Sequence, residues 1–163
     1  MRILLDTDAS IKLTKINLIE IVATEFDVIL TEQVYKEQVT AGLKKNLLDA
    51  KRMEKLVQEG KITVSKVIGK SSVENSRLGA GEKSVLDYYL ANDMDLIVSD
   101  DEVFLKMLDI YEIPFTPVAG VILMSVFNEL INKEKAIKYL EMLKPMIKEE
   151  HMFYIKRKIE ELK

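Results

Sequence analysis

The sequence predicts an α/β protein of three layers: a central parallel sheet of four to five strands, helices on both faces, and extra helices at the C-terminal end. Three observations predict it. Short apolar runs alternate with longer segments of helical periodicity along the chain. The runs are apolar throughout rather than every second residue, as in strands covered on both faces. Two of them, "ILLD" near the start and "LIVSD" near residue 100, stop abruptly on acids.

"MRILLD" reads as the first strand, followed by a helical pattern through Ile11, Leu13, Ile16, Leu18, Ile19 and Val22. "FDVIL" is the second strand, and Thr31 is placed to cap a helix beginning near Glu32. Leu43 to Glu59 reads as one helix carrying Leu47, Leu48, Met53, Leu56 and Val57, stopped by Gly60 as a C-terminal cap. "KITVSKVI" is a short third strand. A polar loop from Gly69 to Leu78 then leads into the helix "GAGEKSVLDYYLAND", with Val85, Leu86, Tyr89 and Leu90 on one face. "DLIVSD" is the fourth strand, "DEVFLKMLDIYE" a helix, and "IPF" a brief extended edge at Pro114. Helices over 118–131, 133–143 and about 146–162 complete the chain. Residues 1–131 form the expected principal domain, and 132–163 a helical extension packed on it.

At 163 residues the chain is long enough for one core, and 48% hydrophobic with 31% charged residues fits a globular protein with a heavily charged surface. The net charge of -3 gives no global attraction to nucleic acid, so such a partner needs a local basic patch. Absence of cysteine removes disulfides, thiolate nucleophiles and cysteine-ligated zinc together. His151 is the single histidine and reads as a solvated residue of a charged helix, so any chemistry falls to carboxylates. The longest apolar run, "VAGVILMSVF", is about half the length a bilayer-spanning helix needs, and the N-terminus enters a strand pattern directly; a cytoplasmic location and no membrane partner are expected.

Ligands of open parallel sheets gather beyond the carboxyl ends of the strands. Asp6 and Asp8 end strand one, and Asp100 and Asp101 end strand four, so adjacency of those strands suffices to bring them together. Glu82 lies three and four residues before Val85 and Leu86 and shares their inward face; Glu37 follows Val34 by three. Two like charges about 4 Å apart repel by roughly 4 kcal/mol at an effective dielectric near 20. A divalent cation reverses that sign, and all-oxygen ligation favours Mg²⁺ or Mn²⁺. Such an ion supports phosphodiester cleavage. Taken singly, each acid has a simpler reading: Asp101 as a helix N-cap, Glu82 as a first-turn acid, Glu37 as a solvated residue, Asp8 as a turn residue. Asp6, directly after "ILL", is the one hard to explain in such terms.

"LLDTDASIKLTKI", Glu37 in "VYKE" 31 residues after Asp6, "LGAGEKSVLDYYLA" and "LIVSDD" together resemble the PIN-domain nucleases. The likeness is greatest to the prokaryotic, VapC-like branch with L-x-x-G-E and D-D motifs. It extends over about residues 2–131, ending in "TPVAGVILMSVFNELI". The resemblance implies a metal-dependent ribonuclease on a parallel α/β sheet, a homodimer, and in many members the toxin of a toxin–antitoxin pair with an antitoxin protein as partner. It implies Asp6, Glu37, Glu82 and Asp101, with Asp100 alongside, as ligands of Mg²⁺ or Mn²⁺ acting on an RNA phosphodiester. Asp8 takes a place where the family has Ser or Asn, and with Ser99 and Thr116 is expected to support the ligands from outside. The chain departs from the pattern at Leu105, where a basic residue is expected, and at Val118, where the second threonine of the C-terminal motif belongs. Lys12, Lys15, Lys36, Arg77, Lys156, Arg157 and Lys158 are available to phosphates, none singled out.

Two rival readings remain. "ILLDTDAS" also resembles the D-x-D-x-T/V motif of haloacid dehalogenase-like phosphatases, with Asp6 as nucleophile and Asp8 as general acid or base. That leaves Glu37 and Glu82 unexplained. The other is a PIN-like scaffold without turnover, binding through apolar C-terminal helices whose Met124, Val126, Phe127, Leu130, Leu140 and Leu143 otherwise read mainly as core.

Overall fold

The central strand is β1 (Arg2–Leu5), in which Ile3, Leu4 and Leu5 are all fully buried. Successive strand residues point to opposite faces, so three buried in a row means that both faces are covered. In this computed structural model, which describes residues 1–69 and 78–162, β1 pairs in parallel with β2 (Asp27–Thr31) on one side and β4 (Leu96–Val98) on the other. β3 (Ile62–Ser65) lies outside β2, and β5 (Phe115–Thr116) outside β4. The five-stranded sheet has the order β3-β2-β1-β4-β5, all parallel. Arg77 and most of the polar loop expected before "GAGEK" lie outside the described residues.

The order reverses direction between β1 and β4, the switch point at which the connections leave to opposite sides and open a crevice. Registers Ile3 with Leu96 and Leu5 with Val98 bring the two strand ends level. Asp6 therefore emerges beside Val98, and its backbone N–H donates to the Val98 carbonyl at 3.1 Å.

The helices follow the expected order with two breaks. The segment after β1 is two helices, α1 (Thr7–Lys15) and α2 (Ile19–Glu25), separated at Asn17, which has φ 62°. The expected helix from Leu43 to Glu59 is likewise divided. After α3 (Glu32–Tyr35) the chain makes a π-helical turn over Lys36–Thr40 and continues as α4 (Ala41–Lys44); Asn46, at φ 57°, turns it into α5 (Leu48–Gln58). Asn enters this left-handed region more readily than most side chains. As a result Leu47 and Leu48 stand in solvent, while Ala50, Met53 and Leu56 face the core.

α6 (Ala80–Ala91) and α7 (Glu102–Ile110) precede and follow β4. The C-terminal part is α8 (Val118–Phe127), α9 (Lys133–Leu143), a 3₁₀ turn over Lys144–Met146 and α10 (Glu149–Glu161). α8, α9 and α10 pack on one another, and Leu140, Leu143, Ile155 and Ile159 join the same core as β1. Each such side chain contributes about 1.5–3 kcal/mol of burial. Phe127 ends α8 pointing outward, 75% exposed, so it is not core; Met124, Val126 and Leu130 pack against the core only in part. Among the described residues no helix is long and apolar enough to cross a membrane.

Candidate functional site

Asp6 is the first residue past β1 and the N-cap of α1, its Oδ1 accepting from the Ala9 N–H at 2.7 Å. It is 2% exposed. Burial pushes its carboxyl up to about 7; hydrogen bonds from Ser99 and the Ala9 N–H hold it down in part, while the nearby Asp8 and Asp100 charges add to the rise. Ser99 links the two acidic strand ends: besides its bond with Asp6, its Oγ accepts from the Asp101 N–H at 3.1 Å. Asp101 does cap α7, accepting from the Phe104 N–H at 2.8 Å, and faces the cleft as well. Capping and lining the site are compatible uses of one carboxylate.

Glu37 sits in the π-helical turn, a backbone form often found at functional positions. Both its oxygens are held, Oε2 by the Thr7 hydroxyl at 2.6 Å and Oε1 by the Gln33 amide at 2.8 Å. Glu82, in the first turn of α6, accepts from the Gly79 N–H at 2.9 Å. Its carboxyl is raised by partial burial and by the Asp101 and Glu37 charges, against the lowering effect of the Gly79 N–H. α6 approaches this closely because residue 81 is glycine: a Cβ there would lie 2.6 Å from Glu37 Oε2 and 2.8 Å from Thr7 Oγ1. The same turn is tied to β2 through Ser84, which donates to the Gly81 carbonyl and shares a 2.6 Å bond with Thr31.

Asp6, Glu37, Glu82, Asp100 and Asp101, with Asp8, thus line a single open cleft of about 520 Å³ at the carboxyl edge of the sheet. Asp100 is engaged on both oxygens, accepting from the Val118 N–H at 2.9 Å and from Lys12 Nζ at 2.8 Å. Lys12 also meets Asp8 at 2.6 Å. Thr116 does not line the cleft. Its hydroxyl lies over Gly120, and its carbonyl accepts from the Ser99 N–H, so its connection with the acids is through the backbone.

Among the described residues no group of three or more His, Cys, Asp or Glu side chains is arranged to hold a metal ion directly. The carboxylates are held by their own hydrogen bonds along the cleft walls. The donor chemistry nonetheless fits a hard divalent ion, which keeps several waters and needs only one or two direct carboxylates. A buried acid whose ionisation is resisted, in a cleft shared with five more acids, is the electrostatic setting that a cation relieves.

Thr7, Gln33, Lys12 and Gly81 are the participants that sequence reasoning did not assign. Lys12 carried a signal, its four-residue spacing from Asp8 on one helix face. Gly81 stands directly before Glu82 in the "GAGE" stretch. Gln33 lies four residues before Glu37, the spacing that brings two side chains to one helix face, so it carried a signal of the same kind.

A family model described as a PIN domain matches residues 2–162, a span that includes the C-terminal helices. No curated protein and no solved structure matches the chain.

Proposed function

The chain belongs to the PIN-domain family, whose members are generally nucleases, and from that premise we propose that it is a metal-dependent endoribonuclease acting at the acidic cleft. The observation that carries the proposal is the meeting of Asp6, Glu37, Glu82 and Asp101, from four separate segments, in one hollow beyond the β1 and β4 ends. In this reading one or two of those four would hold Mg²⁺ or Mn²⁺ directly and the others through its retained waters. Asp100, which the resemblance places beside them, is neutralised by the Lys12 ammonium and tied to the Val118 N–H, whereas the donors on Glu37 are uncharged and leave its charge for a cation; the part of Asp100 is to fix Lys12 and the start of α8. The phosphatase reading loses its ground, because it gives Glu37 and Glu82 no role.

When bound, the ion supplies Lewis-acid polarisation of a phosphoryl oxygen and lowers the pKa of a coordinated water. The chain's own residues provide the geometry. Ser99 sets Asp6 and Asp101 relative to each other, and Thr7 and Gln33 hold Glu37 in one rotamer. Lys12 offsets the charge of Asp8 and Asp100, which keeps the acid density of the rim tolerable to a polyanion. The open cleft admits a flexible single strand. The finer setting of the proposal is a cytoplasmic homodimer serving as the toxin of a toxin–antitoxin pair, tested by growth arrest on expression that an Asp6→Asn variant does not cause.

The direct test is cleavage of single-stranded RNA with Mn²⁺. Asp6→Asn and Glu82→Gln are each expected to lower the rate by about 10²-fold or more, as removal of several kcal/mol of charge stabilisation requires. RNA left intact by the wild type, or cleaved equally by the variants, overturns the proposal.

A further inference from the structure

A second hollow, of about 310 Å³, adjoins the acidic cleft on the α10 side. Asp100 lines both, and Lys12, whose ammonium rests on Asp100, lines the second. Its remaining walls differ from those of the cleft. Pro145, Met146 and Ile147, the chain entering α10, give an apolar side, and His151 adds a partly buried imidazole. Glu102 and Lys148, paired with each other, supply an acceptor and a donor next to one another.

We infer that this hollow seats one unpaired nucleobase of an RNA strand, belonging to a nucleotide next to the phosphate held in the acidic cleft; the inference rests on the ribonuclease reading. The charges argue for a base rather than a phosphate. Lys12 is already matched by Asp8 and Asp100, and Lys148 by Glu102, so an anion finds little net attraction there. A planar base suits the same walls: its faces lie against Met146, Pro145 and the His151 ring, and its edge offers both donors and acceptors to Glu102 and Lys148. Recognition of single strands works in this way, by stacking on a flat side chain and hydrogen bonding along the base edge. Asp100 stands in the wall of both hollows and makes them neighbours, as consecutive positions along one strand need. A paired base cannot enter, so the hollow also selects against duplex RNA.

His151 is the only histidine in the chain, so its ring C–H proton resonances report on this hollow without assignment. The four ribonucleoside 5′-monophosphates and ribose 5-phosphate are titrated into the wild-type protein at constant pH and millimolar concentration. The expected result is a saturable shift of the His151 resonances with at least one nucleotide and none with ribose 5-phosphate. Equal shifts with ribose 5-phosphate would make the hollow a phosphate subsite, and no shift with any nucleotide would leave it without a base; either overturns the inference. The two failures are separable. A base-dependent shift in a protein that does not cleave RNA keeps the hollow and removes the nuclease, whereas RNA cleavage with no shift does the reverse.

Discussion

Lys12 has 11% of its side chain exposed and touches two carboxylates, Asp8 at 2.6 Å and Asp100 at 2.8 Å. Burial alone would lower its pKa, but the hydrogen bonds and charges of Asp100 and Asp8 outweigh that and raise it. A lysine whose folded pKa is raised contributes stability that is present in full below its unfolded value and is lost only as pH rises through the folded one. Its contribution is therefore constant across neutral pH. Removing one partner of a buried pair costs about 3–5 kcal/mol, because the other charge is left without compensation. Asp8 is 57% exposed and recovers water, which discounts the figure. Lys12→Met is expected to destabilise the fold by roughly 2 kcal/mol at pH 7, read as a lower urea midpoint at unchanged slope. An unchanged midpoint would mean that Lys12 is merely accommodated by the acids it touches.

Elements carry these residues to one place, and within the cleft α6 closes directly onto the α1 start and the π-helical turn. Gly81→Ala would put a methyl group against Glu37 Oε2 and Thr7 Oγ1, both closer than 3 Å, so the 2.6 Å Thr7 to Glu37 bond must open. Alanine favours helix over glycine by about 1 kcal/mol, which offsets part of the strain. The expected outcome is a split: a melting temperature within a few degrees of wild type, with RNA cleavage reduced about tenfold or more through a misplaced Glu37. Equal loss of both would mark Gly81 as a packing residue only. The elements themselves were largely legible, because β1, β2 and β4 are built on short apolar runs and β1 and β4 announce their ends with acids. The breaks at Asn17 and Asn46 were not, since neither has a glycine or proline beside it and the apolar spacing continues across both. The acids of the site were legible as residue types at strand ends and on inward faces. Their hydrogen-bond partners were not, because Lys12 meets Asp100 only through the adjacency of β1 and β4, and Thr7 meets Glu37 only through the adjacency of β1 and β2, which sets α1 against the π-helical turn.

On the scale of the whole molecule, a sheet of order β3-β2-β1-β4-β5 with all strands parallel points the ends of β1 and β4 the same way, and the chain has placed its acids there. The fold therefore opposes its own site. Asp6, pushed up to about 7 chiefly by burial, binds its proton more tightly in the folded chain than in the unfolded one. Stability from this group is thus greatest below the unfolded pKa near 4 and falls as pH rises through about 7, by up to about 4 kcal/mol. A divalent cation in the cleft favours the ionised carboxyl and reverses the loss. A ligand at 100 times its dissociation constant stabilises by about 2.7 kcal/mol, which for a chain of this size raises the melting temperature by roughly 5–10 °C. Mn²⁺ is accordingly expected to raise the melting temperature by several degrees at pH 8 and far less at pH 5.5, where Asp6 keeps its proton. In Asp6→Asn the metal-free protein should melt higher than wild type at pH 8, and its response to Mn²⁺ should shrink. Should Mn²⁺ leave the wild type unmoved at pH 8 while Asp6→Asn still melts higher, the electrostatic stress of the cleft would stand without a cation to relieve it. The acids would then have to be explained by what they repel.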